Sequence, residues 1–327
     1  MFKKLLLVTA MPFMTLAPLA ANAGVLGIAD LNISSFALIV ANSDPKAPVV
    51  LVRPDQIAIV GDIRTGTANA DFNGVPAVPN GSGNITRSGG ADVDVKYRCA
   101  GPDCGTISSI YTPQIDNNVS THLTAATKNF ALGDMFISGQ AIGASGNGAN
   151  GLTRADSSIA NASNAGGSNS TIQNTAFAKT TFKTLGSDLS VQFALTYDVF
   201  INAFIDAANP ANEQSLASGS TSFTLTVTEN IPATSTTPAK STQILSYTPS
   251  ELNNGLGANS AQTSMFYQSN GTIFTQARTL KADTQYTLVI NQTANSTASE
   301  IPEPGSIALL GLGLLAIGVS VSRRRKG

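Results

Sequence analysis

The chain has 327 residues and a formal net charge of −1, with 12% charged residues, no Trp, two Cys and one His. Its length is ample for a substantial hydrophobic core, and the thin, slightly acidic charge excludes the basic footprint of a nucleic-acid-binding protein. So few thiols and imidazoles cannot by themselves assemble the usual four-ligand structural zinc site.

At the N-terminus, Lys3 and Lys4 precede an apolar stretch from Leu5 to Leu19, and Ala21-Asn22-Ala23 places small residues at alternate positions, as signal peptidase requires. Pro12 and Pro18 would break a buried core helix but are tolerated in a transient export segment. The spacing predicts a signal peptide over 1–23, cleaved after Ala23, and an exported body from about 24 to 300.

That body carries 13 Lys or Arg against 19 Asp or Glu, a balance of −6. Thr, Ser, Asn, Ala and Gly dominate it, with little Lys or Glu to build solvated helix faces, which favours β-structure. In chain order, strands are expected at Ile33 to Ala41, Val49 to Val60, Asp92 to Arg98 and Ala176 to Lys183. In "SVQFALTYDVF", Val191, Phe193, Leu195, Tyr197 and Val199 share one face, with Gln192, Thr196 and Asp198 opposite. The stretch "TSFTLTVTE" repeats the alternation with Phe223, Leu225 and Val227. Ile244 to Tyr247, Thr272 to Thr279 and Gln285 to Asn291 follow, the last alternating Tyr286, Leu288 and Ile290. About ten such strands predict a mainly β chain, an antiparallel β-sandwich or jelly-roll-like body in one domain. Phe193, Leu195, Phe223, Leu225, Leu288 and Ile290 should be buried.

Between strands, "YRCAGPDCGT" holds Cys99 and Cys104, expected to close a small turn shaped by Gly101 and Pro102 with a disulfide worth about 2 kcal/mol. The rival reading, half of a thiolate metal site, lacks ligands. Asp92 and Asp94 in "GGADVDV" fit the solvent face of a strand better than a single calcium-repeat fragment. His122, in "NNVSTHLTAA", reads as an ordinary residue, since no "GxSxG" or similar nucleophile turn accompanies it. Paired carboxylates can serve a glycosidase without histidine, but nothing selects a pair. No catalytic residue, metal or cofactor is therefore expected. The stretch from about 139 to 171, rich in Gly, Ser and Asn, has few large apolar residues to bury. It is expected to form a flexible surface loop, with a binding or self-association loop as the functional alternative.

At the C-terminus, Ser306 to Ser322 holds 17 residues without charge, and a helix at about 1.5 Å per residue would span roughly 25 Å, the lower limit for a hydrocarbon core. Gly311, Gly313 and Gly318 are of a kind common in membrane helices. Arg323, Arg324, Arg325 and Lys326 would keep the end cytoplasmic, so one transmembrane helix is predicted over 306–322.

The order Pro302-Glu303-Pro304, a short Gly- and Leu-rich helix, then a basic cluster resembles the PEP-CTERM sorting signal of bacterial exosortase substrates, over 301–327. The resemblance implies an exosortase-type processing enzyme as partner, a transient stay in the inner membrane, and a destination at the cell surface or extracellular matrix of a Gram-negative bacterium that makes extracellular polysaccharide. "TTFKTLGSDLSVQFALTYDVFINAFIDA" and the later "TPSELN" are similar in pattern to the β-rich region of PEP-CTERM surface proteins, which supports the sandwich and carries over no functional residue. The expected function is a non-enzymatic surface or matrix structural protein, associated with biofilm exopolysaccharide. A carbohydrate-binding or adhesive module is the alternative, six Tyr and 14 Phe standing in for the missing Trp. An envelope hydrolase ranks third for want of a site.

Overall fold

The structure, a computed structural model, describes residues 24–41, 49–77, 84–112, 114–160, 165–172, 178–206, 215–259 and 261–300. The signal-peptide expectation with Ala21 and Ala23, and the whole of 301–327 with its predicted helix at 306–322, lie outside the described residues. Among the described residues no helix is long and apolar enough to cross a membrane.

Sixteen strands form two antiparallel sheets among these residues. Sheet A contains β1 (Val25–Val40), β5 (Val93–Ala100), β6 (Phe130–Ser138), β7 (Asn150–Ile159), β10 (Leu189–Ile205), β14 (Ser264–Phe274) and β15 (Arg278–Leu280). Its order is β14-β10-β1-β7-β6-β5, with β15 also on β10. Sheet B contains β2 (Ile57–Phe72), β3 (Val75–Pro76), β4 (Asn84–Ser88), β8 (Ala165–Ile172), β9 (Ala178–Thr184), β11 (Leu216–Ile231), β12 (Lys240–Tyr247), β13 (Asn254–Ala258) and β16 (Gln285–Ser299). Its order is β12-β11-β16-β8-β2-β3, with β13 on β11, β4 on β2, and β9 between β16 and β2.

The period-2 alternation does what it predicts. Val191, Phe193, Leu195, Tyr197 and Val199 of β10, Phe223, Leu225 and Val227 of β11, and Tyr286, Leu288 and Ile290 of β16 are all buried in one inter-sheet core. Each such side chain contributes about 2 kcal/mol by leaving water. This core, with Phe36 stacked on Phe193 and Phe182 on Tyr286, is the thick half of the sandwich.

The other half is thin. Ala29, Ala155 and Ala294 meet there, as do Ala203, Ala217 and Ala298. A Cβ on Gly27 would overlap the carbonyl oxygens of Ser218 and Thr297, and one on Gly219 would overlap that of Ile28. The sheets thus approach backbone to backbone, and hydrogen bonds hold the polar groups buried between them. The Ser157 and Ser296 hydroxyls lie 2.9 Å apart. Gln292 donates through Nε2 to the Leu31 carbonyl at 2.6 Å and to Thr153 Oγ1 at 3.0 Å.

The thin half overturns the expectation of a flexible loop over 139–171. Within that range β7 is a central strand of sheet A, paired with β1 and β6, and β8 lies inside sheet B between β16 and β2. Scarcity of large apolar side chains is not a failure to make a core here, because Ala155 and Ser157 face a gap that admits only small groups. Even the β6–β7 connection is held, its Gly146 carbonyl accepting from the Leu38 N–H at 2.8 Å. Small residues also carry β2 and β16 beyond their expected ends, whereas β1 and β6 add large apolar residues that the expected strands did not include. β1 begins at Val25 rather than Ile33, β2 runs on to Phe72 through Gly, Thr, Ala and Asn, β6 had no predicted counterpart, and β16 continues to Ser299. The expected strand at Thr272 to Thr279 straddles the break between β14 and β15.

Gly27→Val is expected to force the sheets apart and cost about 3 kcal/mol, read as a lowered urea midpoint. Gly61→Ala, where an added Cβ meets nothing within 4 Å, should stay within about 0.5 kcal/mol of wild type.

Candidate functional site

Two surfaces of the sandwich differ sharply. The outer face of sheet A over β1, β6, β7 and Phe200 of β10 is covered by the described residues of the connection between β5 and β6, 101–112 and 114–129. Its start is pinned by the disulfide Cys99–Cys104, with Cα atoms 5.8 Å apart, one of whose cysteines pairs with Leu132 of β6. A 3-10 turn, Ile107–Ser109, then drops Ile107, Tyr111 and later Leu123 onto Leu26, Ile28, Phe130, Leu132 and Phe200.

Inside this apolar seam lies a row of charge. Asp30 of β1 and Asp134 of β6 flank Arg154 of β7 in direct register, and Asp156 follows two residues along β7. Arg154 and Asp156 side chains are fully buried, with Nε to Oδ2 at 2.8 Å. The guanidinium also donates to the Asn118 carbonyl at 2.8 Å and the Thr121 carbonyl at 2.5 Å, and lies 4.8 Å from the Tyr111 ring centroid. Tyr111 donates its hydroxyl to Asp156 at 2.7 Å. His122 Nε2 is 3.1 Å from Asp30 Oδ2, and its ring stacks on Phe200 at 3.8 Å.

Burial opposes the charge on Arg154, yet Asp156, Tyr111 and Asp30 outweigh it and hold the guanidinium above its ordinary pKa. Burial raises the Asp30 carboxyl against the pull of His122 and Arg154. Asp134 is pushed up to about 8, by burial first and by Asp116 second, although the Asn117 and Met135 N–H groups donate to it. With Arg154 and Asp156 paired below the cap, the row acts as a fastening: Arg154 holds the Asn118 and Thr121 carbonyls of the connection in place.

A second buried arginine repeats the device. Arg64 of β2 pairs with Asp62 at 3.0 Å and donates to the Gly139 carbonyl of the β6–β7 connection, while Thr180 donates to Asp62 at 2.9 Å. Neither arginine was singled out from sequence. The available signal was "DIR" and "RAD", opposite charges two apart on a strand and so on one face. Asp94 with Lys96 shows the same spacing at the surface, at 2.6 Å, beside the buried Val93 and Val95. Among the described residues no group of His, Cys, Asp and Glu is placed to hold a metal ion.

The outer face of sheet B is different. Along its centre, β11 presents Ser218, Ser220, Ser222, Thr224, Thr226 and Thr228 opposite Thr297, Asn295, Thr293, Asn291, Val289 and Thr287 of β16. Ser218 and Thr297 hydroxyls meet at 2.6 Å, Ser222 and Thr293 at 2.7 Å, and Asn230 Nδ2 donates to Thr287 at 2.7 Å. None of these residues is charged, and no cap covers the ladder among the described residues. Its partners satisfy one another without exhausting their donors and acceptors, since each hydroxyl carries two acceptor lone pairs and each amide two donors.

β16 ends at Ser299, and the carboxyl of the next residue, Glu300, is buried and raised to about 7 by that burial. There the comparison with known families takes over: the PEP-CTERM protein-sorting motif matches residues 300–326. The chain thus carries the mark of an exosortase substrate, a class of protein sorted to the cell surface or exterior. No curated protein and no solved structure matches it. The matched stretch includes Pro302, Glu303 and Pro304 and the basic residues Arg323, Arg324, Arg325 and Lys326.

The Asp134 carboxyl titrates about 8 in the folded chain and near 4 when unfolded, so the folded state holds an extra proton between these values. Its contribution is full below about pH 4 and is lost as pH rises through about 8. Asp134→Asn, which keeps an acceptor for the Asn117 N–H, is expected to flatten the fall in thermal midpoint between about pH 5 and about pH 9.

Proposed function

We propose that this is a non-enzymatic structural protein of the cell surface or extracellular matrix, released from the inner membrane of a Gram-negative bacterium by an exosortase-type enzyme and bound to neutral extracellular polysaccharide. The observation that carries the polysaccharide reading is the open, uncharged ladder of Ser, Thr and Asn on β11 and β16. A neutral polyhydroxylated polymer offers the same hydroxyl donors and acceptors in repeated array, and the ladder residues meet it without charge, the lysines of this face, Lys179 and Lys183, standing on the neighbouring strand β9. The capped face offers nothing comparable, its polar groups being consumed in fastening the cap. The sorting motif supports the destination, and the fully buried Arg154–Asp156 pair supports a structural role for the chain's densest cluster of ionisable groups.

Two experiments test the two halves of this reading. Replacing Pro302, Glu303 and Pro304 together by Ala leaves the apolar run and basic cluster that direct insertion intact. Wild-type protein should then reach the surface without its basic tail, while the variant stays in the inner membrane at higher mass. Equal intact masses in one membrane fraction would defeat the sorting mechanism. For the ladder, Thr293→Asp is expected to weaken retention on the producing cell's purified exopolysaccharide about tenfold by setting a charge among the hydroxyls. Val119→Asp on the cap should leave retention unchanged, and equal losses from both would refute binding through sheet B.

A further inference from the structure

A sandwich of open sheets has borders, and a border strand with unpaired N–H and C=O groups pairs with other chains unless something prevents it. Here most border strands carry such a guard. β5 places Asp94, Lys96 and Arg98 on its eight residues and breaks register between Val95 and Arg98. β3 and β4 have two and five residues and carry Pro76 and Arg87. β12 begins with Lys240 and meets a register shift on β11, and β13 has five residues. The three-residue β15 carries Arg278.

β14 has none of these. Its sequence, "SMFYQSNGTIF", spans 11 residues without a charge or proline, in unbroken register with β10 from Ser264 to Phe274. Among the described residues no strand pairs with its second edge. Phe266 and Phe274 stand 58% and 46% exposed on its outer face, and Met265, Tyr267, Ser269 and Ile273 on its inner face are only half-buried.

We propose that β14 is an assembly edge whose occupant is β14 of a second copy of this chain, the two related by a twofold axis through Ser269. Antiparallel self-pairing about that residue sets Ser264 opposite Phe274, Met265 opposite Ile273 and Phe266 opposite Thr272. Each apolar side chain then meets an apolar or small partner on its own face. No like charges come together, because the strand has none, so the self-complementarity that a twofold interface demands is met. The two A sheets become one continuous sheet, and both open borders close in a single step.

Position-specific cross-linking of the protein in intact producing cells, membrane and surface fractions together, tests this. Residues facing each other across the axis have Cα atoms about 4.5–5.5 Å apart, within reach of a disulfide. With Cys99 and Cys104 bonded to each other, Ser269→Cys supplies one free thiol. Mild oxidation is expected to move most of that variant to twice its mass on a non-reducing gel, while Thr86→Cys on the guarded β4 edge stays at single mass. Adding Gln268→Lys and Asn270→Lys, both exposed, should lower the cross-linked fraction about tenfold by setting like charges opposite each other. A single-mass band for Ser269→Cys would overturn the proposal. So would a cross-link to a chain of different mass, which would mark the edge as taken by another protein, or a fraction indifferent to the two lysines.

Discussion

Sheet B is organised around β16, the last strand among the described residues. β16 pairs with β11 along its whole length on one side and with β8 and β9 on the other, and Gln292 stitches it across the gap to Leu31 and Thr153 of sheet A. Until residues 285–299 are in place, β11 and the β8–β9 line have no common neighbour, so the two halves of sheet B are not joined. The first strand is equally central, and it packs against the last at Gly27 and Thr297. A fold whose first and last strands touch has high contact order and closes late. Since the sorting motif begins at residue 300, completion of the body and presentation of the motif fall at the same point of the chain.

The thin half of the sandwich follows from that contact. Two central strands that approach through glycine and alanine leave no room for large side chains, and the space is filled by Ser157, Ser296 and Gln292 in paired hydrogen bonds. Apolar burial in the thick half supplies the driving force, whereas the thin half supplies register, because a polar group buried there must find one particular partner.

Buried charge plays a third part. Arg154 and Arg64 each pair with an Asp two residues away on their own strand and extend to carbonyls of a long connection, 101–129 in one case and 139–149 in the other. Buried ion pairs give little net stability, but an arginine with several donors fixes where a loop lies. The two sheet faces therefore differ, one carrying a fastened cap over β1, β6 and β7 and the other, among the described residues, a polar ladder without such a cap.

Much of the thick half was legible from residues alone. The alternation in "SVQFALTYDVF" and "TSFTLTVTE" identified strands, buried face and antiparallel sandwich, because large apolar side chains at period 2 have one way to leave water together. The tail motif was equally local, being a linear order of residue types. The thin half was not legible: "NGLTRADSSI" and β8 read as loop by composition, since Ala, Ser and Gly signal flexibility unless another backbone lies against them. Likewise the charged row of Asp30, Asp134, Arg154 and Asp156 draws on strands far apart in sequence, and nothing local announces that β1, β6 and β7 are neighbours. What the sequence determined by itself was therefore the β-class, the large-residue core and the sorting address, each carried by short-range pattern. The tertiary structure alone decided where small residues become a core and where charges become a fastening, because both depend on what lies across the gap rather than along the chain.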